Sequence, residues 1–252
     1  MKILVTGNMG YIGPILLEQL RLSNPNVLLA GIDTGYFAHC LTGVTIFPET
    51  RLDVQYFADL RNPPEDLFNE VNAVVHLAAI SNDPMGDRYK EVTHDINFLA
   101  SLDLAKQAKA AGVGHFVFAS SCSVYGFAEG EARNEQAPLN PLTAYAKSKI
   151  GMEKELNNLA EDDFIVTCLR FATACGASDR LRLDLVLNDF VAGAIASKKI
   201  TVLSDGTPWR PLIHVKDMAL SIDWAIQRES SNGGVFLALN AGSNSWNYQV
   251  RD

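Results

Sequence analysis

Six residues into the chain, a short apolar run, Lys2-Ile3-Leu4-Val5-Thr6, gives way to Gly7-Asn8-Met9-Gly10-Tyr11-Ile12-Gly13. Glycines at this spacing, between a strand and the helix that follows it, constrain the fold more than any other feature of the sequence. The backbone must turn tightly there and come within contact distance of a pyrophosphate, and a side chain would block both. The last glycine lets helix and strand pack closely, and the helix N-terminus favours an anion. Pro14 suits the first helical turn, where its missing N–H is no loss. A structural glycine turn is the competing reading, and the strand-to-helix context weighs against it.

The rest of the chain continues the same rhythm. Strands are expected at Lys2–Thr6, Val27–Asp33, Asp53–Asp59, Ala73–Leu77, His115–Ser120, Phe164–Phe171 and Val235–Leu239. Helices are expected at Tyr11–Leu22, Tyr89–Ala111, Ala144–Glu161, Leu185–Ser197 and Val215–Ile226. Several strands are nearly continuous apolar runs, as strands covered on both faces must be. The alternation implies an α/β fold, a Rossmann-type doubly wound parallel sheet. Residues 1–172 are expected to form the dinucleotide-binding domain, with 212–240 returning to it. Residues 173–211 and 241–252, where the rhythm loosens, are expected to form a small C-terminal substrate-binding lobe. The last residues, Trp246 to Asp252, offer no closing element, so the native protein is expected to continue beyond them.

Composition excludes several classes. A net charge of -8 on 252 residues is wrong for a nucleic-acid binder, though not for a small phosphorylated ligand. No apolar run reaches membrane-spanning length. Cys40, Cys122, Cys168 and Cys175 lack CxxC spacing, so reduced thiols, no metal site and a cytoplasmic location are expected.

Two acidic residues extend the cofactor reading. Asp33 closes the second strand about twenty residues after Gly13, where a carboxylate can accept both ribose hydroxyls of an adenosine and repel a 2′-phosphate. No arginine adjoins it in sequence, so NAD is expected over NADP. Asp59 ends the third strand and could accept an adenine amino group; a capping or loop aspartate is the alternative.

Tyr145-Ala146-Lys147-Ser148-Lys149 places Tyr145 and Lys149 on one face of a helix. A phenol titrates near ~10 and is a poor base at neutral pH unless a nearby cation stabilises its anion. The same lysine can hold a nicotinamide ribose. Two surface residues on an amphipathic helix would give the same spacing. The preceding cofactor turn and the strand ending in Ser120-Ser121-Cys122-Ser123 favour the chemical reading.

Together these residues resemble the extended short-chain dehydrogenase/reductases, the family of NAD-dependent sugar-nucleotide epimerases and dehydratases. The resemblance rests on Gly7/Gly10/Gly13, Asp33, Asp59-Leu60-Arg61, His76-Leu77-Ala78-Ala79, Asn97, Ser120-Ser121-Cys122-Ser123-Val124-Tyr125-Gly126, Tyr145/Lys149, Leu169-Arg170-Phe171 and Arg210-Pro211-Leu212-Ile213-His214-Val215. It implies Tyr145, Lys149 and Ser121 as the catalytic group, with Ser121 bonding the reacting hydroxyl. It implies cofactor contacts from the turn Gly7 to Gly13, from Asp33, Asp59 and Leu60, from Leu77, Ala78 and Ala79, and from Asn97 and Lys149. Substrate contacts are expected from Ser81, Ser121, Ser123, Tyr145, Asn188 and Arg210, the last on a diphosphate. For Ser81 and Asn188 a capping role is an equal alternative. A homodimer pairing through Tyr89–Ala111 and Ala144–Glu161 is implied as well.

Departures from the family pattern narrow the reaction. Dehydrating members carry Asp-Glu after the serine or threonine, and here Cys122 and Ser123 stand in those places. Some members use a cysteine acid/base two before the turn tyrosine, a place held here by Ser123. Cys122 is therefore read as a packing residue. Pro211 replaces the usual aspartate, and Thr173 the usual asparagine. The expected reaction is epimerisation of a nucleoside-diphosphate sugar through a keto sugar, in the manner of a 4-epimerase. A dehydratase or ketoreductase on the same substrate class is the alternative, and a non-catalytic NAD-binding sensor or scaffold is the reading from another class.

Overall fold

The computed structural model describes residues 1–81, 83–127 and 132–252. Its main sheet has seven parallel strands: β1 Lys2–Thr6, β2 Leu28–Asp33, β3 Val54–Phe57, β4 Ala73–His76, β5 His115–Ser121, β6 Ile165–Phe171 and β9 Phe236–Ala241, in the order β3-β2-β1-β4-β5-β6-β9. The order reverses between β1 and β4, the crevice where doubly wound folds bind their ligands.

Alternation along each strand sends side chains to two cores. Ile3 and Val5 of β1 pack with Leu16, Leu17 and Leu20 of α1 (Gly13–Ser23) and with Met218 and Ile222 of α7 (Val215–Ile226). Leu4, between them, faces the other core, with Leu104 and Ala105 of α4 (Ser101–Ala110) and Met152 and Leu156 of α5 (Ala144–Leu159). All these residues are buried, which is why the strands read as continuous apolar runs.

The expected helix Tyr89–Ala111 is not continuous. After α2 (Asp83–Arg88), α3 (Lys90–His94) runs into a π-turn, Asp95–Ala100, before α4 begins. Two contacts account for the wider turn. The Ser101 hydroxyl donates to the carbonyl of Ile96, five residues back, and the Asn97 amide is pulled to the backbone of Ile80.

A second, three-stranded sheet was not foreseen. β7 (Thr173–Cys175) pairs parallel with β8 (Trp209–His214), and β8 pairs antiparallel with β10 (Asn247–Gln249). The terminal segment expected to hold no element thus contributes an edge strand. α6 (Val186–Ser197) connects β7 to β8.

Candidate active site

The glycine turn is built as the sequence suggests. Gly7 has φ +71°, and a Cβ there would lie 2.7 Å from the Ala78 backbone. Only glycine fits both demands. A Cβ on Gly13 would overlap the carbonyl of Asn8, so helix and turn touch. α1 has no side-chain cap and no acidic residue in its first turn, which leaves its N-terminal donors free for an anion. That arrangement fits a pyrophosphate.

The residues between the glycines face inward. Asn8 is fully buried and its amide donates to Gln55 Oε1 at 2.6 Å, and Met9 is buried as well. Only backbone from these two borders the turn's outer side. Asp33 closes the turn from β2: its carboxylate accepts from Met9 N–H at 3.1 Å and Gly35 N–H at 2.8 Å. Burial raises its pKa, partly offset by those two bonds. Arg180, distant in sequence, is close enough to lower it electrostatically, so an arginine does adjoin Asp33 in space. Arg180 is itself buried and paired with Glu49 at 2.6 Å. Asp59 sits in a loop, accepting from Arg61 N–H and gripped by its guanidinium at 2.6 Å. That bond holds its carboxyl below the usual range. Leu60 is buried in the core beside it.

Across the turn, Leu77, Ala78 and Ala79 follow β4. Leu77 N–H donates to the Thr6 carbonyl and Ala78 N–H to the Thr6 hydroxyl. Asn97 bonds Ile80 twice, accepting its N–H at 2.8 Å and donating to its carbonyl at 2.9 Å. Its side chain is therefore spent on holding this loop.

Thr143 caps α5 by accepting from Ala146 N–H, which starts the helix at Ala144, one residue before Tyr145. Lys149 is 3% exposed, its Nζ 4.5 Å from the Phe118 ring centre and 5.2 Å from that of Tyr145. Burial pushes its pKa down to about 7, against the pull of Cys168 and Glu153. Glu153, one turn on, accepts from Ser120 Oγ and pairs with Arg170 at 2.7 Å, both partners buried. Arg170 also donates to the Tyr125 hydroxyl, which donates to Asn240. This network locks α5 to β5, β6 and β9.

Ser121 ends β5 and accepts from Ser123 N–H at 3.2 Å, opening the 3-10 turn Cys122–Tyr125. The Ser123 hydroxyl is buried without a partner among the described residues. Burial raises the Cys122 thiol to about 11, against the opposing influence of Arg210. That influence puts Arg210, exposed on β8, near the turn, although its pairing is with the Trp209 carbonyl. Asn188 is spent within the protein: it accepts from Gly176 N–H and donates to Arg182 O and the Tyr11 hydroxyl. Tyr11 in turn donates to Gly176 O. Ser81 accepts from Arg182 at 2.8 Å.

Arg182 is the residue the sequence reading missed. It is forked on Asp184, bonded to Ser81, and within electrostatic reach of both Tyr145 and Tyr11. Apart from the neighbouring Asp184, no local pattern marks it, because the rest of its surroundings come from the loop after β4, the glycine turn and α5. The described residues contain no cluster able to hold a metal ion, and none of their helices is long and apolar enough to cross a membrane.

Known proteins are similar to this chain in sequence and in fold. A protein called UDP-glucose 4-epimerase from Bacillus subtilis is 30% identical over 241 residues, covering 87% of this chain and 70% of its own. One of the same name from Lactobacillus helveticus is 28% identical, with 86% and 69% covered. The solved structure of MoeE5 with UDP-glucuronic acid and NAD superposes with a TM-score of 0.83 at 27% identity, over 100% of this chain and 79% of its own. The family model described as the NAD dependent epimerase/dehydratase family matches residues 3–241, and the chain belongs to that family.

Proposed function

We propose that this protein epimerises a nucleoside-diphosphate sugar, a UDP-hexose first among candidates, by oxidising one sugar hydroxyl and reducing the ketone on its other face. The observation that carries the reading is the Lys149 ammonium 5.2 Å from the Tyr145 ring centre, on a helix locked to β5 and β6 through Glu153. The similarity to two proteins named UDP-glucose 4-epimerase supports the choice of reaction.

NAD, when bound, supplies a hydride acceptor that returns the hydride within one turnover. The turn from Gly7 to Gly13 takes the pyrophosphate and Asp33 the adenosine ribose. Leu77, Ala78 and Ala79 line its path, while Asn97 acts through Ile80. Asp59, bound to Arg61, and Leu60 edge the adenine end. Tyr145 removes the proton from the sugar hydroxyl, Ser121 orients that hydroxyl, and Lys149 favours the phenolate. Arg210 meets the diphosphate. Ser81, Ser123 and Asn188 border the sugar, Asn188 through its hold on Tyr11 and Gly176. Residues 173–211 and 241–252 make the substrate lobe. The Cys122 thiol, raised to about 11, is no base near neutrality, which disfavours a thiol mechanism. A cytoplasmic homodimer, pairing through helices α3 to α5, completes the reading.

Incubation with UDP-glucose, UDP-galactose and other nucleoside-diphosphate sugars, followed by NMR of the products, tests it. Interconversion of C4 epimers is expected. A 4-keto-6-deoxy product would establish a dehydratase, and NAD binding without turnover of any sugar would establish a sensor.

A further inference from the structure

Behind the loop that follows β4 lies a buried chain of hydrogen bonds that the proposed chemistry does not use. His76 ends β4, 1% exposed. Its Nδ1 is 2.7 Å from Thr6 Oγ1 and its Nε2 2.8 Å from Ser101 Oγ. Counting protons fixes the direction of each bond. Ser101 donates its only proton to the Ile96 carbonyl at 2.9 Å, so it must accept from His76 Nε2–H. Burial, helped by the Lys149 charge, pushes the imidazole down to about 3, so the ring is neutral and Nδ1 carries a lone pair. Thr6 therefore donates to Nδ1, and accepts from Ala78 N–H at 3.3 Å. The chain runs from Ala78 N–H through Thr6, His76 and Ser101 to Ile96 C=O.

Both ends stop at the candidate site. Ala78 is the residue against which Gly7 packs. Ile96 lies in the π-turn, next to Asn97, which grips Ile80. Such turns recur at functional sites. His76 stands where the two halves meet. Thr6 pairs with it on one side in the sheet and Phe118, the ring beneath Lys149, on the other.

We infer that His76 is a positioning residue, which through Thr6 holds the Ala78 backbone for the cofactor and through Ser101 holds the π-turn, whose Asn97 fixes Ile80 next to Ser81 on the sugar side, for turnover. The inference rests on the reading that Ala78 borders NAD. It divides into halves that substitution can separate. A glutamine amide reaches the place of Nε2 and keeps the Ser101 link, and an asparagine amide reaches that of Nδ1 and keeps the Thr6 link.

Calorimetric NAD titration of protein stripped of nucleotide, together with kcat at saturating NAD and sugar, reads the two halves apart. His76→Gln is expected to weaken NAD about fivefold, the loss set by one buried hydrogen bond, and to change kcat less than about twofold. His76→Asn is expected to leave NAD affinity within about twofold and to lower kcat about fivefold. The milder variants Thr6→Val and Ser101→Ala should repeat the two patterns, and they carry the test if either His76 variant fails to fold. Equal losses on both sides, or a lowered Tm with NAD affinity and kcat unchanged, would mean that His76 only packs, and the inference would fall. A wild-type protein that binds no NAD would sink the cofactor reading and this inference with it.

Discussion

Lys149 holds its ammonium nitrogen 5.2 Å from the ring centre of Tyr145, one helical turn before it, and 4.5 Å from that of Phe118. The lysine is buried among these rings without a carboxylate bonded to it among the described residues, although Glu153 raises its pKa from a distance. A cation so placed favours negative charge on the phenol. The same burial makes its own proton easy to lose.

That second property predicts a pH signature in stability. The Lys149 amine is lowered from 10.5 to about 7 in the folded, NAD-free protein. Between those values the unfolded chain binds more protons, so unfolding free energy rises with pH across the window, and below about 7 the full penalty of charging the buried amine applies. Lys149→Met lacks this slope. The Tm of the NAD-free wild type should therefore gain on that of Lys149→Met between pH 7 and pH 10. A Tm difference that stays constant over that range would contradict the burial argument.

Asp33 and Arg180 together predict how the cofactor preference breaks. Wild-type protein should bind NAD more tightly than NADP, since a 2′-phosphate would meet the Asp33 carboxylate. Asp33→Ala removes that repulsion and leaves the Arg180 charge nearby, only partly countered by Glu49. NAD affinity should fall about tenfold and the NADP deficit should shrink. Parallel titrations check this, and an unchanged ratio would remove Asp33 from the ribose.

Cys122 is predicted to be a bystander. Its thiol, at about 11, stays protonated near neutrality, and the turn it occupies is held by Ser121 rather than by its sulfur. Cys122→Ser should keep kcat/KM within about threefold, as expected for a near-isosteric change outside the chemistry. A loss above about a hundredfold would revive a thiol acid or base.

The sheet was legible because its central strands are buried on both faces: the bounds of β1, Lys2–Thr6, and of α7, Val215–Ile226, were those expected. The glycine turn was legible because its steric demands are local. What escaped was made by contacts between distant segments. The π-turn exists because Asn97 and Ser101 are drawn to Ile80 and Ile96, and helical periodicity at Tyr89–Ala111 carries no trace of that. β7 and β10 are three residues each and only partly buried, so they show no apolar run. Arg180 and Arg182 find Glu49 and Ser81 across more than a hundred residues, where spacing gives no signal.

The central claim is that the Tyr145 phenol moves the proton, and Tyr145→Phe tests it most directly, by kcat on the preferred UDP-sugar beside NAD affinity. Removing only the ionisable hydroxyl should lower kcat by about 100- to 10,000-fold or more, with NAD affinity and Tm close to wild type. Near-wild-type turnover by Tyr145→Phe would contradict the assignment and place the proton transfer on another group.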